Sequence, residues 1–250
     1  MVYRDVTWVT FCWDLLGALD SVMRDAGREG SDEDLRLAVY GSFAESGRAP
    51  DAAELAARLG LDEEDARAGL RRLAVAGHVV LDGSDRILMA HPFSSMPLGF
   101  AVMGRRALWW GGCAWDSFAL SNLLPDDPEV LVATRCPGCG AALAWVVGRT
   151  RPPDGAQVAH FLVPVARMWD DVVRTCSNQR LFCSEACVDR WLAMSGNARG
   201  YVMDLPTLWG LARRWYEGRL QRGYQRREPA EAAAYFRGVG LAGTFWGLPG

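Results

Sequence analysis

The chain has 250 residues, enough for one large domain or two small ones with a hydrophobic core. Half of the residues are hydrophobic, 23% are charged and 10% are aromatic, which excludes a disordered, collagen-like or coiled-coil protein. The formal net charge is −3, so no overall positive charge attracts nucleic acid or anionic lipid. All 27 basic residues are arginines, which excludes a lysine Schiff base, a P-loop lysine and a pyridoxal site.

The sequence predicts neither a membrane segment nor a secretory signal peptide. No run of about 18 apolar residues is present, and the start of the sequence lacks a cleavage pattern. We therefore expect a cytoplasmic protein with no membrane partner. Two of the spacings among the seven cysteines, Cys136-Pro-Gly-Cys139 and Cys183-Ser-Glu-Ala-Cys187, suggest metal binding rather than disulfides in that reducing compartment.

The first part of the chain is predicted to be helical. Residues 1–30 form an aromatic-rich lead-in, and residues 31–90 have the pattern of three helices and a hairpin. The predicted elements are a helix from Ser31, a helix over Pro50–Gly60, a helix over Asp62–His78 and a hairpin over Val79–Met89. This order predicts a winged-helix-like unit.

A winged-helix unit suggests either DNA binding or a scaffold that aids dimerisation. A recognition helix contacts bases through its N-terminal residues. Here that end carries four acids, Asp62 to Asp65, which repel phosphates. Nucleic acid is therefore an unlikely partner.

Residues 91–250 are predicted to form a second domain of the α+β class with a small mixed sheet, because strand and helix patterns alternate. The predicted strands are Leu108–Trp110, Val130–Thr134, Ala142–Val147 and His160–Pro164. The predicted helices are Cys113–Leu124, one that begins near Ser184, and a long amphipathic one over Leu205–Tyr224.

Cys113 and Asp116 are the first candidate site residues. Three positions apart, they share one helix face, and Gly111-Gly112 before them lets a thiol sit at the helix start. The N–H groups and dipole there favour a thiolate. The alternative is a buried cysteine beside a capping carboxylate.

Cys176 is the second candidate thiol. Arg174 and Arg180 flank it and are expected to lower its pKa by their charge. Alternatively, both arginines are solvated surface residues.

Several stretches together resemble the organomercurial lyase (alkylmercury lyase) family. They are His91-Pro-Phe-Ser, Cys113-Ala-Trp-Asp116, Thr175-Cys176-Ser, and the segments Trp215-Tyr216 and Gly240–Trp246. The resemblance covers roughly residues 31–248 and implies a winged-helix-like unit ahead of the catalytic domain. It also implies that Cys113 and Cys176 bind mercury and that Asp116 handles the proton.

The implied reaction suits these residue types. Thiolates are the preferred ligands of soft Hg(II), and a carboxylic acid beside the metal can give carbon the proton it needs as the carbon–mercury bond breaks. The products are a hydrocarbon and Hg(II), passed to a thiol or a mercuric reductase as in mercury resistance. The substrate is a small molecule, and no organic cofactor is required.

Two further cysteine pairs depart from the familiar members of that family. Cys136-Pro-Gly-Cys139 resembles a zinc knuckle, and Cys183-Ser-Glu-Ala-Cys187 resembles the helix-start half of a treble clef. Together they predict a structural zinc site of four thiolates, with neutral buried cysteines as the alternative. The remaining Cys12 is predicted to lie in the core or line a pocket.

Two rival functions stay open. A relative repurposed for a biosynthetic pathway would keep the thiol–carboxylate site for a non-mercury substrate, and a metal-responsive regulator would bind DNA and sense metal through its cysteines. The scattered His78, His91 and His160 are expected to be structural, and Asp170-Asp171 a solvated turn.

Overall fold

A computed structural model describes residues 31–249, so the predicted lead-in over residues 1–30, with Cys12, lies outside the described residues. The helices are α1 (31–46), α2 (Ala52–Leu59), α3 (Glu63–Val75), α4 (Ala114–Leu123), α5 (Val172–Ser177), α6 (Glu185–Ser195), α7 (Leu205–Arg213) and α8 (Pro229–Gly238). The strands are β1 (Val80–Leu81), β2 (Ile87–Ala90), β3 (Phe93–Ser94), β4 (Phe100–Met103), β5 (Leu108–Gly111), β6 (Glu129–Arg135), β7 (Ala142–Gly148), β8 (Val158–Phe161), β9 (Gln179–Phe182) and β10 (Tyr201–Asp204).

The first described elements are three helices followed by a hairpin. Asp51 and Glu54 form a capping box that starts α2, and Gly60 in the left-handed region ends it. Helix α3 ends at Val75, three residues before the predicted end, and β1 then pairs with β2. The winged-helix interpretation of this unit stays a prediction.

The α+β class is confirmed, but the sheets differ from the expected small mixed sheet. Seven strands form one sheet in the order β1-β2-β3-β5-β4-β6-β7, and three form another in the order β10-β8-β9. The pairs within them are antiparallel. Short connections such as the β4–β5 and β6–β7 turns allow only antiparallel pairing, because a parallel pair needs a long crossover.

Helix α4 is the centre of the fold. All of its residues except Asn122 are buried, as expected for a helix that is apolar around most of its circumference. It packs on the large sheet and against α7. The indole N–H of Trp115 donates to the carbonyl oxygen of Leu211 at 3.2 Å, which fixes α4 against α7.

The predicted helix over Leu205–Tyr224 is wrong in its length. Helix α7 ends at Arg213, and turns follow. Gly218 and Gly223 have φ values of 79° and 78°, in the left-handed region that a continuing α-helix does not use. The chain after α7 therefore folds back over the protein, which buries Tyr216 and Arg219.

One predicted strand is also shifted. Strand β8 covers Val158–Phe161 rather than His160–Pro164, and Pro164 instead precedes a 3-10 turn over Val165–Arg167. None of the helices within residues 31–249 has both the length and the apolar character needed to cross a membrane.

Candidate active site and four-cysteine cluster

Cys113 lies at the N-cap of α4, where the backbone N–H of Asp116 donates to its sulfur at 3.4 Å. The two glycines before it make room for the start of the helix. A Cβ atom at Gly112 would lie 2.3 Å from Asp116 Oδ2, and one at Gly111 would lie 2.0 Å from Ser117 Oγ. A larger residue at Gly112 would therefore displace the Asp116 carboxylate, and one at Gly111 would crowd the Ser117 side chain in the first turn of α4.

The Asp116 carboxylate is buried and joins two other elements. Its Oδ1 accepts a hydrogen bond from the Tyr216 hydroxyl in the turns after α7. Its Oδ2 lies 3.9 Å from the Sγ atom of Cys176 on α5. Three segments that are far apart in sequence therefore meet at this carboxylate.

Cys176 has a histidine as its neighbour. Nε2 of His91, from the connection between β2 and β3, lies 3.4 Å from the Cys176 sulfur. One atom each of His91, Asp116 and Cys176 lies within 4.8 Å of the other two, and all three residues are buried. The structure thus brings together the three predicted site residues and adds His91, which the sequence argument assigned to structure.

The two thiols of this site differ in acidity. Burial raises the pKa of Cys113 well above its usual range, and the neighbouring Cys176 and Asp116 raise it further. The pKa of Cys176 is lowered, because the Cys113 hydrogen bond and the charge of His91 outweigh its burial. Burial acts to lower the pKa of His91, but the charges of Asp116 and Cys176 outweigh it, so that pKa is raised.

These directions correct two expectations. The helix start does not make Cys113 the more acidic thiol, because desolvation dominates there. Arg174 and Arg180 are also not the groups that lower the pKa of Cys176. Arg180 instead donates to the carbonyl oxygen of Leu98 and lies over the ring of Phe100.

The site opens into a cavity of about 130 Å³. Its apolar walls come from Trp115, Val165, Met168, Val172 and Trp215, and its polar lining includes Tyr216, Arg219, Tyr224, Arg226 and Arg227. The half-exposed Trp169 lies on its solvent side.

Sequence reasoning missed His91 and Arg219 as lining residues. The only available signal was the inclusion of His91 in a stretch that carried the resemblance. Arg219 donates to the carbonyl oxygen of His91 at 2.8 Å and so holds the backbone at that position.

The remaining cysteines form a second cluster. The sulfur atoms of Cys136 and Cys139, from the β6–β7 connection, and of Cys183 and Cys187, at the start of α6, lie within 4.8 Å of one another. Cys139 is exposed, and its sulfur is 3.6 Å from that of Cys183. A tetrahedral zinc site with Zn–S bonds of about 2.3 Å implies sulfur separations of about 3.8 Å, so these residues fit that metal.

Close packing and hydrogen bonding help to assemble this cluster. A Cβ atom at Gly138 would lie 2.1 Å from the carbonyl oxygen of Cys187, so only glycine lets the two segments approach. The backbone N–H of Cys183 donates to Cys136 Sγ at 3.4 Å. The Ala141 backbone N–H and the other thiols lower the pKa of Cys139 to about 7.

The other candidate residues lie away from both clusters. His160 accepts a hydrogen bond from the Gly200 backbone N–H at 2.9 Å. Asp171 caps α5 through the Arg174 backbone N–H, and Asp170 pairs with Arg167 on the surface. His78 does not line the cavity.

The chain is an α+β protein with a cavity at which two thiols and a carboxylate meet. A family model described as alkylmercury lyase matches residues 93–217, which is half of the chain, and the chain belongs to this family. It is thus an alkylmercury lyase-like enzyme, and the family acts on small organomercurial molecules.

A solved structure, the mercury-bound form of MerB2, has a similar fold. It is 18% identical with a TM-score of 0.55, and the match covers 74% of this chain and 91% of that one. No curated protein sequence matches the chain.

Proposed function

We propose that the cavity cleaves a carbon–mercury bond by protonolysis, with Cys113 and Cys176 as mercury ligands and Asp116 as proton carrier. The observation that carries this proposal is the convergence of two thiols and one carboxylate at a single cavity. Thiolates bind soft Hg(II) strongly, and the carboxylate lies where a proton is needed. The expected place of action is the cytoplasm, where such thiols stay reduced.

The unequal acidity of the two thiols gives an order of events. Cys176, whose pKa is lowered, is the thiolate that first attacks mercury and displaces the thiol that carries the substrate. That outgoing thiolate takes up one proton from the solvent, to which Cys176 lost its own proton on ionising. His91, with its raised pKa, faces the Cys176 sulfur and stabilises its negative charge.

Cys113 then supplies the second proton. Because burial keeps Cys113 protonated, it retains a proton until its sulfur bonds to mercury. Asp116 takes that proton and delivers it to carbon as the carbon–mercury bond breaks, and the electron pair of that bond forms the new C–H bond. The products are the hydrocarbon and Hg(II) on two cysteine sulfurs.

Tyr216 acts as a positioning residue in this scheme. Its hydroxyl donates to Asp116 Oδ1, which leaves Oδ2 on the side of Cys176. No organic cofactor enters the scheme. Hg(II) leaves by exchange onto a solution thiol or a mercuric reductase, both of which offer competing thiolates.

The four-cysteine cluster has a different proposed role. Cys136, Cys139, Cys183 and Cys187 would hold a structural zinc ion, and four thiolates leave it no open position for substrate. The bound metal would join the β6–β7 connection to the start of α6. It takes no part in the chemistry at Cys176.

Turnover of methylmercury tests the proposed function. The protein is incubated with methylmercury and excess thiol, and headspace methane is measured. The blank contains the same methylmercury and thiol without the protein. We expect methane from the native protein and a rate about 10²–10⁴-fold lower for Asp116→Asn, the range for loss of a general acid–base group.

A binding measurement separates chemistry from folding in that variant. Asn has nearly the shape of Asp and leaves both thiols in place, so Asp116→Asn should still retain one mercury per chain after gel filtration. Methane from the native protein at or below the blank, or unchanged methane from the variant, would contradict the proposal.

A further inference from the structure

Helix α1 contacts a loop that helps to line the cavity. Glu33, Arg36 and Tyr40 lie three and four positions apart, so they share one face of α1. That face contacts residues 216–224, the loop after α7. None of these three α1 residues lines the cavity itself, so any influence that they have on the reaction passes through the loop.

Arg36 holds the backbone of this loop. It is only 1% exposed, and its two terminal nitrogens donate to the carbonyl oxygens of Arg219 and Gln221, both at 2.6 Å. Glu33 accepts from Arg36 Nε at 2.7 Å and from the backbone N–H of Gly223 at 2.7 Å. A buried ion pair adds little net stability, because desolvation offsets the attraction. The two carbonyl contacts instead give the loop one defined position relative to α1.

Arg219 connects the loop to the reacting groups. Its buried guanidinium donates to the carbonyl oxygen of His91 at 2.8 Å and lies over the ring of Tyr216, with 4.8 Å between its Cζ atom and the ring centroid. A guanidinium is attracted to the face of an aromatic ring. The side chain of His91 faces the Cys176 sulfur. The hydroxyl of Tyr216 donates to Asp116. One side chain therefore touches the neighbour of the thiolate and the neighbour of the acid.

Two tyrosines orient the Arg219 guanidinium. Its Nη1 atom also donates to the hydroxyl of Tyr40 at 3.4 Å, and its Nη2 atom donates to the hydroxyl of Tyr224 at 3.0 Å. The Tyr40 hydroxyl gives its own proton to the carbonyl oxygen of His78 at 2.8 Å, so its oxygen can accept from Arg219. These contacts use the two terminal nitrogens in a fixed plane, which the single nitrogen of a lysine cannot do.

We propose that Arg36 and Arg219 are positioning residues that make helix α1 a part of the active site. Arg36 fixes the loop after α7, and Arg219 on that loop holds the neighbours of the thiolate and of the acid in place. The helical unit that begins at residue 31 thus supports the chemistry, a role distinct from binding nucleic acid or aiding dimerisation. This inference rests on the proposed function, because it assumes that the cavity thiols and carboxylate are the reacting groups.

The first test separates cleavage from mercury binding in Arg36→Gln. Glutamine is too short to reach both carbonyl oxygens of the loop. Because a misplacement of about 1 Å can cost about 10²-fold in rate, we expect kcat for methylmercury to fall about 10–100-fold, while the variant still retains mercury after gel filtration. The matched control is Arg72→Gln, which removes an ion pair between α3 and Asp32 on α1 and should keep the native kcat.

The second test is chemical rescue of Arg219→Ala. Because Arg219 lines the cavity, its removal leaves a space that a small cation can enter from solution. We expect kcat to fall about 10²-fold and methylguanidinium chloride to raise it several-fold, since this ion has the same planar donors. Methylammonium chloride at the same concentration should have little effect. Neither ion should rescue Arg36→Gln, whose lost side chain does not line the cavity.

A double variant tests whether the two arginines act in series. If Arg36 acts through Arg219, Arg36→Gln/Arg219→Ala should be no slower than Arg219→Ala alone, whereas independent effects multiply.

Other results would overturn the inference. A kcat for Arg36→Gln equal to that of Arg72→Gln contradicts it, even if the Tm of Arg36→Gln is lower. Equal rescue of Arg219→Ala by the two ions, or multiplied losses in the double variant, also contradicts it. In these cases methane from the native protein leaves the proposed lyase function standing. No methane from the native protein would refute that function and the inference with it.

Discussion

The two cysteine clusters show how one residue type serves two purposes in one chain. Cys136, Cys139, Cys183 and Cys187 lie close to each other with no carboxylate in the group, and Cys139 reaches solvent. Cys113 and Cys176 are buried, only two in number, and share their space with Asp116, His91 and a cavity. Four sulfurs can satisfy a metal completely, whereas two leave it open to a substrate group.

The comparison also separates the sources of reactivity. In the four-cysteine cluster the Ala141 backbone N–H and the other thiols lower the pKa of Cys139 to about 7, whereas burial and the neighbouring thiols raise that of Cys183 to about 12. At the cavity, burial raises the pKa of Cys113, whereas the hydrogen bond between the two thiols and the charge of His91 lower that of Cys176. A thiolate beside a protonated thiol and an acid is suited to cleave a bond and then protonate carbon.

The largest expected effect comes from the cavity thiols. Cys113→Ser and Cys176→Ser should each lower turnover of methylmercury at least about 10³-fold, because a hydroxyl is a poor ligand for soft Hg(II) and a poor nucleophile. Metal analysis of both variants should still find about one zinc ion per chain. Loss of zinc from either variant would mean that the two clusters are not independent.

A substitution in the four-cysteine cluster should lower stability rather than turnover. Cys183→Ser is expected to lose zinc and at least about 3 kcal/mol of stability, a part of the ~10–16 kcal/mol that structural zinc supplies in zinc-finger peptides. For a domain of this size that is a fall in Tm of at least about 6 °C.

Turnover by Cys183→Ser is measured below its lowered Tm, so that folded variant is compared with folded native protein. Strand β9, which lies between Cys176 and Cys183, is held by its pairing with β8. Methane production by folded Cys183→Ser should therefore stay within about tenfold of the native rate, which is the expected cost of looser positioning. A loss as large as that of Cys176→Ser would show that zinc is part of the active site.

Local spacing in the sequence was enough to predict much of both clusters. The Cys-x-x-Cys and Cys-x-x-x-Cys pairs are short-range features, and the three-residue step from Cys113 to Asp116 places both side chains on the first turn of α4. The Gly-Gly pair before them predicted that a thiol can sit at the start of this helix. The α+β class followed from the alternation of helix and strand patterns.

The remaining features depend on contacts between distant parts of the chain. Short strands such as β3 and β10 have little pattern of their own and exist because a neighbour pairs with them. Helix α7 ends at Arg213 although the hydrophobic period continues, and the turns that follow are held by contacts with distant residues such as the hydrogen bond from Tyr216 to Asp116. His91 and Arg219 reach the cavity only because the β2–β3 connection and the turns after α7 meet there.

The smallest expected effect concerns His91 and sharpens the contrast between the two cavity thiols. The Cys113 hydrogen bond lowers the pKa of Cys176, and the positive charge of His91 lowers it further, while Asp116 and Cys176 raise the pKa of His91. The ion pair therefore exists above the lowered pKa of Cys176 and below the raised pKa of His91.

His91→Asn removes the positive charge and lets the pKa of Cys176 rise towards its ordinary value. The acidic limb of the kcat/KM profile should then move up by about one pH unit, the lower end of the effect of one adjacent charge. Activity near neutral pH should fall up to about tenfold and recover in more alkaline buffer, whereas His78→Asn, away from the cavity, should leave the limb in place. If the acidic limb of the kcat/KM profile does not move in His91→Asn and activity falls equally at every pH, His91 only shapes the cavity and does not set the charge state of Cys176.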